Sequence, residues 1–236
     1  MKLYFYNRTI YRFINLLKLP DIFVSLDEFL GKQFSDLRTA NTHLMVVHSE
    51  NICSRLGSIE YYALIIDDEL KKRTDLFASA VIISSYLIGY FGSCKSFLDS
   101  ISIALNDIHQ LNLSNKLQDF SKKKFWEKLE ANSITKKNKY YLFKDLFDEV
   151  IKWRDMSVHR IKPIVILHSP GPPEKAPAEK LEIKLLADYN QFGIIPSGKK
   201  LAWYKVLELH YKWYPKFLEL CELICEDIKQ YNYKTA

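Results

Sequence analysis

Apolar positions recur along most of this chain at the three- and four-residue spacing of a helix face, and only briefly at the alternation of a strand. The longest such run opens near Thr74, a Thr-Asp pair suited to cap a helix, and continues to about Leu111, some ten turns with Gly89 and Gly92 as places to bend. Within it, residues 76–94 carry no charge, long enough to cross a membrane. The same stretch holds four serines, two glycines and two tyrosines and runs on through Lys95 and Asp99, which favours the central helix of a soluble bundle and no membrane partner.

Weaker patterns flank this run. Residues 1–31 are aromatic and irregular, with Pro20 as a breaker, and residues 26–70 read as helical fragments interrupted by Gly31 and Gly57. Downstream, a short helix is expected at about 121–130, then a basic linker. A helix over 139–158 follows, with Tyr140, Phe143, Leu146, Phe147, Val150 and Ile151 on one face, and Pro163 beyond its end. The period then changes. PIVIL (163–167) and LEIKLL (181–186) predict two strands of a hairpin around a proline-rich loop, and a last helix over about 199–231 should kink at Pro215.

The expected fold is therefore mainly α, an up-and-down helical bundle with a small β-hairpin insertion. Residues 1–70 form an N-terminal helical extension packed on the core, and residues 71–236 form the bundle, with the hairpin insert around 163–192. No internal repeat is present.

Composition agrees with a globular chain: 236 residues, 48% hydrophobic and 26% charged, with only 7 glycines. The net charge of +6 is concentrated. Residues 114–144 hold nine lysines against Asp119, Glu127 and Glu130, which accounts for the whole excess. The four cysteines include no Cys-x-x-Cys pair and fit a reducing, cytoplasmic setting, and the first residues lack the apolar core of a signal peptide.

The usual catalytic signatures are absent. There is no glycine-rich phosphate loop, no Gly-x-Ser-x-Gly elbow and no His-Glu-x-x-His. The six histidines form no tight pair, and the acidic runs at 67–69 and 145–149 read as solvated helix faces, so neither metal nor cofactor is expected.

What remains is Trp153-Arg154-Asp155-Met156-Ser157-Val158-His159-Arg160, closing the 139–158 helix. Arg154 and His159, with four residues between them, resemble the R-x4–6-H signature of the HEPN superfamily, and Lys95 and Asp99 stand on an earlier long helix where members of that family carry a facing polar group. A second Arg-x4-His, Arg38 to His43, lacks the strong apolar helix before it. The resemblance implies a helical bundle that pairs two signatures across a homodimer and acts as a metal-independent endoribonuclease. A toxin or antiviral effector held in check by an inhibitory protein partner is the setting it suggests.

The residue chemistry is coherent with that. Histidine titrates near neutrality and serves as acid or base at the 2′-hydroxyl and leaving oxygen, while an always-charged, forked arginine suits a developing phosphorane. Asp155 and His159 are i and i+4, placing a carboxylate beside the ring. Arg154 and His159 lie roughly 140° apart around an ideal helix, so convergence calls for arginine's reach or a loosened last turn. Ser157 and Arg160 would support the cluster. Lys122, Lys123, Lys124, Lys136 and Lys137, interleaved with Phe125, Trp126, Tyr140 and Tyr141, could track and stack an RNA strand.

Each assignment has a plainer counterpart. Arg154 can be a surface ion-pair partner and His159 a helix C-terminal cap. The lysine run can be a solvated face and Lys95–Asp99 an ordinary intrahelical contact. The competing functions are a non-catalytic HEPN-like module that binds nucleotide or RNA or dimerises, and a plain interaction scaffold.

Overall fold

A computed structural model describes residues 40–72, 75–159, 163, 165–168, 182–186 and 203–235. Among these the chain is mainly helical, with a small antiparallel sheet: α1 (Ala40–Lys71), α2 (Leu76–Ile108), α3 (Lys123–Asn132), α4 (Ile134–Tyr141), α5 (Lys144–His159), three strands, and α6 (Glu208–Thr235). Residues 1–39, including the Arg38 of the second Arg-x4-His, lie outside the described residues, as does most of the proline-rich loop.

The bundle is built on α2. Its buried positions, among them Ile83, Leu87, Tyr90, Phe91, Cys94, Phe97, Leu98 and Ile101, recur every three or four residues and face α1, α5 and α6. At about 25 cal/mol per Å² of apolar area, side chains of this size each contribute about 1.5–3 kcal/mol when buried. Antiparallel α1 matches this face with Met45, Ile52, Leu56, Ile59 and Ile66. Gly57 does not interrupt α1; burial of Leu56 and Ile59 on either side outweighs its low propensity of about 1 kcal/mol. Gly89 lets the two helices close up, since a Cβ there would lie 2.4 Å from the Tyr62 ring.

The ends of α2 are set by local hydrogen bonds. Asp75, rather than Thr74, is the N-cap: its Oδ1 accepts the Ala78 N–H at 2.9 Å. At the other end Gln110, at φ 48°, occupies the left-handed position of a Schellman turn. Its N–H donates to the Asp107 carbonyl at 3.2 Å and that of Leu111 to the Asn106 carbonyl at 2.9 Å. Among the described residues α2 is the one helix long and apolar enough to cross a membrane, and 39% of its most apolar stretch is buried in the bundle.

The region after α2 departs from expectation in two ways. The basic linker is itself helical, as α4, and the helix expected over 139–158 is two helices parted at Leu142 and Phe143. Tyr140 before that turn and Phe143 within it are both buried, so the apolar rhythm runs through a break in the backbone. α5 then docks on α2 by stacking Trp153 on Phe91 at 5.1 Å, and Phe147 stacks on Phe120 at 4.2 Å.

The hairpin forms as expected and gains a strand. β1 (Val165–His168) pairs antiparallel with β2 (Glu182–Leu186), Val165 opposite Leu185, and β2 pairs with β3 (Trp203–Lys205), Leu186 opposite Trp203. β3 occupies residues expected to open the final helix, which starts at Glu208 instead; the Glu208 carboxylate accepts the Lys205 N–H at 3.1 Å. That helix continues through Pro215 and buries Trp213, Phe217, Leu220 and Ile224.

Candidate functional site

The carboxyl end of α5 is positioned by what it buries. Trp153, Met156 and Ser157 face inward, which leaves Arg154 on the flank and Asp155 outward, their side chains 32% and 51% exposed. Helical geometry persists through His159, so the last turn does not loosen and the Cα positions of Arg154 and His159 stay roughly 140° apart. His159 is the final helical residue; its side chain, and all of Arg160, lie outside the described residues.

Arg154 Nη1 donates to Asp155 Oδ1 at 2.9 Å. The carboxylate expected to orient His159 is thus engaged by the neighbouring arginine. Ser157 is buried and its hydroxyl donates to the Arg154 carbonyl at 2.9 Å, so it closes its own helix turn rather than projecting outward.

The polar pair expected on the earlier helix is present and part of something larger. Lys95 Nζ bonds Asp99 one turn along α2 and also Asp119, at 3.0 Å, in the segment before α3. Sequence spacing gave no sign of Asp119, whose part depends on the chain turning back after α2. Burial works against the charge of Lys95, and the bonds and charges of Asp99 and Asp119 outweigh it, holding its pKa above the ordinary value. The two carboxylates move in opposite senses. Burial and the like charge of Asp119 raise Asp99, against the opposing pull of Lys95 and Arg154. Asp119 is also penalised by burial, but the Ser121 N–H at 2.7 Å and Lys95 hold it below the ordinary range. The charge of Arg154 on α5 is the smallest of the influences on Asp99, a long-range attraction between the two expected groups of residues.

The lysine-rich stretch divides. Lys122, Lys123 and Lys124 are exposed, with Lys123 3.2 Å from Glu127. Lys136 is turned inward to Asp227 of α6, and Lys137 pairs with Glu130 at 3.0 Å while lying over the Tyr141 ring. The interleaved aromatics do not form a stacking surface: Phe125, Trp126 and Tyr140 are core residues, the Trp126 indole donating to the Phe120 carbonyl at 2.8 Å, and only Tyr141 is exposed. Phe125, Trp126 and Leu129 together form the buried face of α3, and Tyr140 is the one buried residue of α4.

Among the described residues no group of three or more metal-ligating side chains comes together. Comparison of the chain with protein-family models, with curated proteins and with solved structures finds no match.

Proposed function

We propose that this protein is a HEPN-type, metal-independent endoribonuclease that uses Arg154 and His159. The observation that carries the reading is the setting of Arg154: Trp153 stacked on Phe91 docks its helix on α2, the helix of Lys95 and Asp99, with Arg154 five residues before a helix end formed by His159. In this reading Arg154 neutralises charge on the phosphorane and His159 moves the proton, while Asp99 and Lys95 set the local field. Exposed Lys122, Lys123 and Lys124 supply sequence-independent attraction for the RNA backbone. In this reading the Arg154/His159 signature works as a homodimer, a toxin or antiviral effector restrained by a protein partner, and the four cysteines suit a reducing, cytoplasmic setting.

The test is incubation of purified protein with total RNA in EDTA, beside Arg154→Ala and His159→Ala. Cleavage by the wild type, reduced about 100-fold or more in each variant, is the expected result, in keeping with the usual weight of acid–base and electrostatic groups. Cleavage that survives either substitution overturns the assignment. A second reading, a non-catalytic module that binds RNA or nucleotide or dimerises, is favoured by the pairing of Arg154 with Asp155. Equal RNA binding by all three proteins, with no cleavage by any, selects it.

A further inference from the structure

Among the described residues the shortest α-helix, α4, has almost no apolar face. Of the eight residues of α4 only Tyr140 is buried, while Ile134 and Tyr141 stand in solvent. A helix of this length does not sustain itself in water. Its backbone runs closest to α3, to which it is joined through Ser133, the C-cap of one helix and N-cap of the other.

One carboxylate fixes α4 to the rest. Asp227 of α6, 5% exposed, bonds Lys136 Nζ through Oδ1 and accepts the Tyr140 hydroxyl on Oδ2 at 3.1 Å. Lys136 and Tyr140 are i and i+4, so both reach from the same face of α4. Gln230, three residues beyond Asp227, accepts from Lys136 at 3.4 Å. His109, the C-cap of α2, brings Nε2 to 3.6 Å from the same Oδ2, and Asn132 at the end of α3 donates to the His109 carbonyl at 2.8 Å. Burial works against the charge of Asp227, yet His109, Lys136 and Tyr140 together hold its carboxyl below the ordinary range.

α3 is held differently. Phe125, Trp126 and Leu129 are buried among Phe120 and Phe147. α3 thus buries three apolar side chains, whereas α4 buries Tyr140 alone and adds to it an ionic attachment through Lys136.

We propose that α4 is a strap clasped to the bundle by Asp227, able to leave α6 while the other helices stay folded. Release would uncover Asp227 and His109 at this end of the bundle and turn Lys136 from an internal partner into a surface cation. The inference stands on the clasp alone and does not rest on ribonuclease activity.

The test is amide hydrogen exchange on the full chain, comparing wild type with Asp227→Asn and Lys136→Met. In wild type the amides of residues 137–141 should exchange about tenfold or more faster than those of residues 97–105 in α2, the mark of local rather than global opening, and about tenfold or more faster again in each variant. Unchanged exchange of α4 in the variants overturns the proposal, and so does protection of α4 equal to that of α2 in wild type, which would make Asp227 an ordinary core residue. Should Asp227→Asn fail to fold, Lys136→Met, altered on the strap itself, reads the same two outcomes.

Discussion

Lys95 and Asp119 meet at 3.0 Å and tie the middle of α2 to the segment that leads into α3. With Asp99 on its other side, Lys95 is the cation between two partly buried carboxylates, and its own side chain is only 13% exposed. Replacing it by methionine keeps the stem and removes the ammonium from both acids. Lys95→Met should cost about 1–3 kcal/mol, below the roughly 3–5 kcal/mol of a fully buried pair because the Asp99 side chain is 41% exposed. Urea unfolding checks this, and adding Asp99→Asn to the same chain should recover part of the loss, since Asp99 is the carboxylate that burial already disfavours.

Stability should fall between neutral and mildly acid pH because of His210. Burial beside Tyr90, Tyr214 and Glu60 pushes its imidazole down to about 4, so the folded state holds it neutral while the unfolded chain protonates it near 6.5. A depressed folded pKa means that this stability is present above pH about 6.5 and lost as pH falls toward 4, a change of about 2–3 kcal/mol. His48, also lowered by burial despite its bond to Asp107, acts in the same direction. Unfolding free energies measured at pH 7 and pH 4 should differ less in His210→Leu than in wild type. Identical slopes would show that His210 stays neutral in both states or charges in both.

The lysine-rich stretch should separate into two classes of variant. Lys122, Lys123 and Lys124 are exposed, so changing all three to alanine should leave stability within about 0.5 kcal/mol. If they track RNA, the same change lowers affinity and flattens its salt dependence by up to about three units of slope. Lys136→Ala, by contrast, should destabilise measurably, since it leaves Asp227 without its ammonium partner. Denaturation and salt-dependent RNA binding on both proteins resolve the classes.

At the end of α2, Gln110 holds a left-handed backbone that a side chain makes unfavourable by about 1 kcal/mol. The residue is exposed and nothing in its side chain is needed for the turn. Gln110→Gly should therefore raise stability by about 0.5–1 kcal/mol, seen as a melting temperature about 1–3 °C higher. A lower melting temperature would mean that the flexibility glycine adds to the unfolded chain dominates.

The parts of this fold that can be read along the chain are those whose burial is local and periodic. α2 and the β1–β2 hairpin are of this kind, each marked by its own period and bounded by capping or proline residues. α4 escapes such reading because its sequence, ITKKNKYY, has one buried residue and its attachment is an ion pair to Asp227, more than eighty positions away. β3 escapes for a related reason: Trp203, Val206 and Leu207 fall at the helical spacing of the apolar residues that follow, and pairing with β2 makes residues 203–205 a strand. At the candidate site, Arg154, Asp155, Lys95 and Asp99 were legible from spacing. Asp119 was not, because it enters only when the chain reverses after α2. The engagement of Asp155 by Arg154 was missed because neighbouring residues on a helix diverge, and only arginine's length spans the gap.

Ser84, deep in α2, donates to the Pro163 carbonyl at 2.7 Å. His159 therefore sits between two anchors, the helix behind it and a pinned backbone oxygen four residues ahead. Three intervening residues span at most about 15 Å between the flanking Cα atoms, whatever path they take. The last residue of α5 is on a short leash, and any rearrangement that carries it far from α2 must first break the Ser84 bond. A serine with no place in the charged cluster thereby sets how far the end of that helix can travel.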